Sequence, residues 1–327
     1  MILAVDSGTT STRAWVVSGG RVGGGARGPG GARDLARKKD KGWLLGQVRR
    51  VADEALEGAG ENWASVEAVV MFGMITSELG LEDIPHLPAP AGPAELAAGM
   101  VCRSYDDLPA PVRLVPGVRC GDDFRNADFM RGEETEVAGL LSVAGAPPPL
   151  LYVSPGSHTK FVSVDADGRI RWSMTTLSGE LLWAIHRETI LAELVDPGKD
   201  LEDPSMVEEG ARFVEEGSLG RALFAARLLN RIQGASAGAC SDFVHGAVAM
   251  SDLASLRNAL KEHETASGRV ALGGGGALAG AYRHLLEQES WVDELQVRRE
   301  PLGALGSWSL YAAATDGAPR EGPRDRE

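Results

Sequence analysis

The stretch that decides the fold is Ile2-Leu3-Ala4-Val5-Asp6-Ser7-Gly8-Thr9-Thr10-Ser11-Thr12-Arg13-Ala14-Trp15-Val16-Val17. Its first residues read as a buried apolar strand that stops at a carboxylate. A turn of one glycine and small hydroxyl residues follows, and a second β-rich run begins. The tip of such a hairpin offers backbone N–H groups and hydroxyls to phosphate oxygens, with Asp6 beside them for a metal ion. An ordinary hairpin with a Ser/Thr-rich turn fits the same letters, so the rest of the chain must supply partners for it.

The second half restarts in the same way. An apolar strand over 150–153 meets the turn Ser154-Pro155-Gly156-Ser157-His158-Thr159-Lys160, and an alternating strand resumes over 161–164. Asp167-Gly168 predicts a hairpin turn into a strand over 170–176. Helices are expected over 179–195 behind Ser178, over 207–233 with glycine interruptions, and over 241–263. A strand over 269–272 runs into Gly273-Gly274-Gly275-Gly276, then come a helix to 288, a strand near 295–298 and a last helix over 303–314.

In the first half, periodicity predicts a helix over 47–58 and a strand over 66–72 that ends in Gly73-Met74-Ile75-Thr76-Ser77. A further strand is expected over 112–118, then the run Asp128 to Leu141, whose second part is helical. A third strand is expected near Arg21-Val22, while the glycines of 23–31 have no strand-to-helix context and read as a mobile loop. Residues 144–149, with three consecutive prolines, form the best linker. Two halves that each open with strand, hydroxyl-bearing turn and strand look like a duplicated unit. The expectation is an N-terminal domain over 1–145, a C-terminal domain over 150–315, opposed turns across a cleft, and a disordered charged tail over 316–327.

Composition narrows the function. The 327 residues suit two domains, and a hydrophobic content of 43% is enough for a sizeable core. No run approaches a membrane span, and the first residues carry no basic-then-apolar secretion signal. Cys102, Cys120 and Cys240 are too widely spaced for a metal or disulfide framework, which fits a reducing cytoplasm. A net charge of −13 argues against nucleic acid or an anionic membrane as partner. An anionic substrate would need local basic residues against that background.

Three further runs carry a resemblance: Met130-Arg131-Gly132-Glu133-Glu134-Thr135, Pro155-Gly156-Ser157-His158-Thr159-Lys160, and Ser178-Gly179-Glu180-Leu181 close after Met174-Thr175. With the opening turn, they make the chain resemble the 2-dehydro-3-deoxygalactonokinases of the sugar kinase/Hsp70/actin superfamily, over nearly its whole length. The resemblance implies an α/β fold of two similar ribonuclease H-like (actin-like ATPase) βββαβα domains facing a central cleft. It also implies MgATP-dependent phosphorylation of a 2-keto-3-deoxy sugar acid, with a small-molecule acceptor, a cytoplasmic location and room for a homodimer.

By that resemblance Asp6 positions Mg²⁺, and Gly8, Thr9 and Thr10 meet the phosphates. Gly156, Ser157, His158, Thr159 and Lys160 form a second phosphate turn, and Gly273, Gly274 and Gly275 an adenosine-side turn. Phosphoryl transfer to an alcohol needs alignment, charge neutralisation and a base. Glu133 is the preferred base, with Asp128 competing just upstream; a solvated first helical turn is the bland reading of the acids. Glu134 points elsewhere round the helix and is expected to support Arg131. Arg131 is a candidate partner for the substrate carboxylate, unless it pairs with Glu134 or Glu136 on its own helix. Arg13 could reach the acceptor or a phosphate, and Lys160 could equally be an edge-strand lysine. Met74 and Ser77 lie where the acceptor should sit, although Thr76 stands where the family has glycine. Kinase action on another sugar or sugar acid is the alternative within enzymes. An ATP-driven conformational switch is the alternative from another class.

Overall fold

The computed structural model describes residues 1–9, 11–265 and 268–316; Thr10 and the tail beyond 316 lie outside the described residues. Strand β1 (Ile2–Ser7) is apolar on both faces, and a run of that kind is stable only inside a sheet. It pairs antiparallel with β2 (Ser11–Ser18), which pairs antiparallel with β3 (Arg21–Pro29). Two helices follow, α1 (Ala32–Lys38) and α2 (Lys41–Ala59), the latter capped by Asp40 accepting from the Trp43 N–H at 3.0 Å. Strand β4 (Ala68–Gly73) then returns parallel to β1.

Strand β3 corrects the expected glycine loop. Its glycines serve packing: a side chain at Gly24 would crowd Ala59 of α2, and one at Gly28 would overlap Arg50 and Val51. Glycine therefore lets α2 lie close to the outer strand.

The chain continues through β5 (Leu87–Pro88), α3 (Pro93–Gly99), β6 (Val101–Arg103), β7 (Val112–Leu114), β8 (Val118–Cys120), β9 (Asp128–Met130) and α4 (Glu133–Ser142). The expected strand over 112–118 is thus two short strands in different sheets. The main sheet runs β3-β2-β1-β4-β7-β6, and a small one runs β5-β8-β9. The core of this unit lies between the main sheet and α2, around Leu3, Val5, Val16, Val48, Val51 and Met71.

The second sheet repeats the arrangement. Strands β10 (Leu150–Ser154), β11 (Thr159–Val164) and β12 (Ile170–Thr176) are followed by α5 (Ser178–Glu188), α6 (Pro204–Glu216), α7 (Leu219–Gln233) and α8 (Ala237–Glu262). Then come β13 (Arg269–Leu272), α9 (Gly276–Leu286) and β14 (Glu294–Val297). The order is β12-β11-β10-β13-β14, with β13 parallel to β10 and β14 parallel to β13. The long helix expected over 207–233 divides at Gly217, where Ser218 caps α7. The core of this unit gathers Leu151, Val153, Phe161, Leu253, Val270 and Tyr282.

The chain divides into two compact units, Met1–Pro148 with Asp167–Arg171 and the residues from Glu300, and Pro149–Ala166 with Trp172–Arg299. The last helix, α10 (Leu302–Asp316), therefore sits in the first unit, where sequence order alone had kept it with 150–315. It packs on α4 through glycines: side chains at Gly139 and Gly306 would overlap the Leu302 and Thr135 carbonyls. That contact cannot be read from chain order.

Candidate active site

The first half of the site grows from the parallel pairing of β1 and β4. Register places Asp6 beside Phe72 and Ser7 beside Gly73. Gly73 has φ +84°, and a Cβ there would sit 2.9 Å from Asp6 Oδ1, so only glycine leaves room for this carboxylate. The Asp6 side chain is 23% exposed, with the Arg13 Nη1 on β2 3.9 Å from its Oδ2. Burial pushes its pKa up to about 6, against the pull of Arg13 and Arg27; Glu136 adds to the rise.

The hairpin tip beside Asp6 is held by its backbone. The Gly8 N–H donates to the Ser11 carbonyl, and the Gly8 and Thr9 carbonyls accept from Ala32 and Arg33 at the start of α1, each at 3.0 Å. Ser7 and Thr12 join hydroxyls at 3.0 Å, and Thr12 donates to the Gly30 carbonyl at 2.8 Å. Helix α1, which the sequence reading missed because it is so short, is what anchors the tip.

The start of α4 lies against the end of β4: a Cβ on Gly132 would be 3.6 Å from the Gly73 Cα. Glu133 is the first residue of α4 and is half-buried, with its Oε2 excluded from solvent. Asp128, the competing base, lies on β9 opposite Cys120 in the small sheet. Glu134 turns inward. It is 1% exposed, accepts from the Gly132 N–H at 2.8 and 3.0 Å and from the Thr135 hydroxyl at 2.9 Å. Burial pushes its pKa up to about 7 in spite of those bonds.

Arg131 is occupied by protein groups. Its guanidinium donates to the Thr76 hydroxyl at 3.2 Å and the Ile84 carbonyl at 2.6 Å, and pairs with Asp83 at 3.3 Å. Its side chain is 6% exposed, and it ties the segment after β4 to the start of α4. This ion pair with Asp83 takes the place of the one considered with Glu134 or Glu136. Thr76 is part of the tie, which gives its departure from glycine a structural use. Ser77 donates to the Met74 carbonyl at 2.7 Å and receives the Leu79 N–H at 3.2 Å, and Met74 is half-buried.

In the second unit, Gly156 and Ser157 are exposed at the tip between β10 and β11. The tip is anchored by α5: the Glu180 N–H donates to the Ser157 carbonyl at 2.9 Å, and a side chain at Gly179 would overlap the Gly156 carbonyl. His158 Nε2 stands 3.7 Å from Glu180 Oε1. Thr159 is fully buried, and Lys160 is 7% exposed with its ammonium donating to the Thr175 hydroxyl at 2.6 Å. Lys160 is not on an edge, because β11 runs between β10 and β12. Gly273 follows β13 where a side chain would overlap the Tyr152 hydroxyl, and Gly274 and Gly275 are exposed before α9.

Sequence reasoning missed the polar cluster that holds Ser178 at the head of α5. Asp252 of α8 is 7% exposed and accepts from three hydroxyls, Thr176 at 2.9 Å, Ser178 and Tyr282. Burial raises its pKa while the three hydroxyls lower it. The Ser178-Gly179 pair was the available signal; nothing in the periodicity of α8 marks Asp252. Among the described residues no group of three or more His, Cys, Asp or Glu could hold a metal ion, and no helix is long and apolar enough to cross a membrane.

The chain has counterparts among known proteins. The model of the 2-keto-3-deoxy-galactonokinase family matches residues 6–305, from Asp6 through both turns and into α10. The chain belongs to that family. It is an enzyme, a phosphotransferase of the sugar kinase class with a small-molecule sugar substrate, and use of a nucleotide goes with that class.

A Rhizobium meliloti (strain 1021) protein named probable 2-dehydro-3-deoxygalactonokinase is 29% identical over 301 residues, covering 88% of this chain and 89% of that protein. The 2-dehydro-3-deoxygalactonokinase of Escherichia coli (strain K12) is 26% identical over 257 residues, 78% of this chain and 80% of that one. A Sinorhizobium meliloti crystal structure whose protein carries the same family name superposes with a TM-score of 0.74 at 24% identity, covering 97% and 99%. The ADPNP-bound activator of 2-hydroxyisocaproyl-CoA dehydratase from Clostridium difficile shares the fold at TM-score 0.52 and 13% identity, covering 96% of each chain. Both units of this chain show one sheet order, β3-β2-β1-β4-β7 in the first and β12-β11-β10-β13-β14 in the second.

Proposed function

We propose that this family member transfers the γ-phosphoryl group of ATP, with Mg²⁺, to the terminal hydroxyl of 2-dehydro-3-deoxy-D-galactonate. The product is the 6-phosphate, and the setting is cytoplasmic galactonate catabolism. The observation that carries the reading is the family match that starts at Asp6 and spans both hydroxyl-bearing turns and the acidic start of α4.

The residues fit a magnesium ion. Asp6 is a largely buried carboxylate that Arg13 meets only at 3.9 Å, and its raised pKa reports an anion short of positive charge. Mg²⁺ is usually held by one or two carboxylates together with substrate phosphates, so one acid suffices. When bound, the ion supplies charge neutralisation on the phosphates.

The chain's own groups do the rest. In the first unit the Thr9 N–H and hydroxyl take phosphate oxygens, Gly8 lets them approach the backbone while its own N–H holds the turn on the Ser11 carbonyl, and Thr10 is assigned with them from the sequence. Gly156, Ser157 and His158 do so in the second, seated by the buried Thr159 and Lys160, and Gly274 and Gly275, which follow the buried Gly273, leave the backbone open to the adenosine. Glu133 accepts the proton of the acceptor hydroxyl. Arg131 and Glu134 hold the segments that carry Met74, Ser77 and Glu133.

A coupled ADP assay tests the reading: with MgATP, ADP should form only when 2-dehydro-3-deoxy-D-galactonate is present. Acceptor-independent turnover, or none with this acid, overturns it. Glu133→Gln should lower kcat by about 10²–10⁴ with nucleotide affinity kept, the range for general-base removal. The same loss in Asp128→Asn, with Glu133→Gln active, moves the base to Asp128.

A further inference from the structure

Antiparallel register sets Arg13 of β2 directly opposite Arg27 of β3. Like charges so placed repel each other and weaken a sheet. Both arginines also act on the Asp6 carboxylate, Arg13 more strongly. They line an open groove of about 470 Å³ with Trp15, the glycines 23–25 and Pro301. Trp15 faces Gly25 across the strands, and a Cβ on Gly25 would lie 2.7 Å from the indole Cδ1. The indole therefore lies over the glycine stretch of β3, two residues along the strands from the Arg13–Arg27 pair, in a protein of net charge −13.

We propose that Arg13 and Arg27 form the subsite for the carboxylate of the sugar-acid acceptor. The assignment rests on the kinase reading above and adds to it the group that the site recognises. Guanidinium forks bind carboxylates bidentately, and an oxyanion between the two arginines removes the repulsion that the register builds in. Next to the carboxylate and the keto group, the acceptor carries a methylene, and the Trp15 indole offers that carbon an apolar surface. Arg131, the basic residue first expected to do this work, has its donors on Thr76, Asp83 and Ile84. Among the described residues no such set of partners holds Arg27, and the residue is exposed at the groove.

A phosphate of the nucleotide is the competing oxyanion, and kinetics separate the two. Arg27→Gln should raise KM for the acid acceptor by about tenfold or more, one charge-assisted pair, with KM for MgATP unchanged. Arg27→Lys should recover part of the loss. On the carboxylate-free analogue, the 3-deoxy-hexos-2-ulose, wild type and Arg27→Gln should perform alike. A rise confined to KM for MgATP makes the pair a phosphate subsite and overturns the proposal; an equal loss on acid and analogue makes Arg27 structural and overturns it too. Because Arg27 is exposed and its loss removes the cross-strand repulsion, the variant should keep or slightly raise the wild-type melting temperature. Wild type active on the acid with Arg27→Gln unchanged removes this inference alone. Wild type inactive on every sugar acid removes the kinase reading and this inference with it.

Discussion

The two units solve one folding problem with opposite uses of a buried acid. Each builds a hairpin next to a parallel strand, β2-β1-β4 in one and β11-β10-β13 in the other, and each hangs its hairpin tip on the start of a helix. In the first, the strand end carries Asp6, and Gly73 makes way for its carboxylate. In the second, the strand ends at Ser154, and Gly273 makes way for the Tyr152 hydroxyl. The buried acid there is Asp252, wrapped by three hydroxyls away from the tip. An acid left short of partners is poised for a cation, whereas an acid saturated with donors is a fastening.

The largest expected effect breaks the first side of that comparison. Asp6→Asn should lower kcat/KM by about 10³ or more, the scale for removing a charge-organising group in phosphoryl transfer. Folding stability should hold or rise, because a buried, poorly paired carboxylate is replaced by a neutral group. In wild type, apparent Mg²⁺ affinity should strengthen as pH rises through about 6, where Asp6 ionises, and Asp6→Asn should lose that dependence. Titrating Mg²⁺ against activity at pH 5, 6 and 7 checks it. A stability loss without loss of kcat would place Asp6 with Asp252.

Asp252→Ala is the reverse case. Three buried hydroxyls lose their acceptor, and the fold should weaken by about 3 kcal/mol, the scale for stranding buried polar groups. Since Ser178 leads directly into Gly179 and Glu180, which seat the Gly156-Ser157 tip, KM for the nucleotide should rise with kcat largely kept. Urea denaturation and steady-state kinetics on Asp252→Ala and Asp252→Asn read both quantities. Asp252→Asn should fall between wild type and Asp252→Ala, since its amide oxygen still accepts.

What the sequence made legible follows the same division. The Asp6 turn, its echo at 155–160 and the strand over 269–272 were readable because each is local: an apolar run, a small-residue turn and a breaker. Strand β3 was legible only at its start, Arg21-Val22; its glycine-rich remainder was not, because those glycines answer to α2, which packs on them from later in the chain. Helix α10 was placed by order in the second half, while small residues on α4 bring it into the first unit. Asp252 carried no local mark, since its three hydroxyl partners come from 74, 76 and 30 residues away. The partners of Arg131 were sought in the substrate or on its own helix, at Glu134 and Glu136, because Asp83 and Ile84, which occupy it, lie in a proline-rich segment without periodicity.

Glu134 is an acid of the first unit that is buried and hydrogen-bonded yet remains hard to ionise, so it tests whether saturation alone separates the two classes. Its folded pKa is about 7 against an ordinary 4.5, so the folded state holds the proton more tightly than the unfolded chain. Stability from this group is therefore fully present below about pH 4.5 and is lost as pH rises through 7. At most it amounts to about 3 kcal/mol at 1.36 kcal/mol per pKa unit. Glu134→Gln cannot ionise, so its stability should fall less than that of wild type between pH 5 and 8. Denaturant midpoints at pH 5, 6, 7 and 8 give the two slopes. If wild type instead gains stability over that window and Glu134→Gln does not, the Gly132 N–H and Thr135 hydroxyl outweigh burial, and Glu134 is a fastening like Asp252.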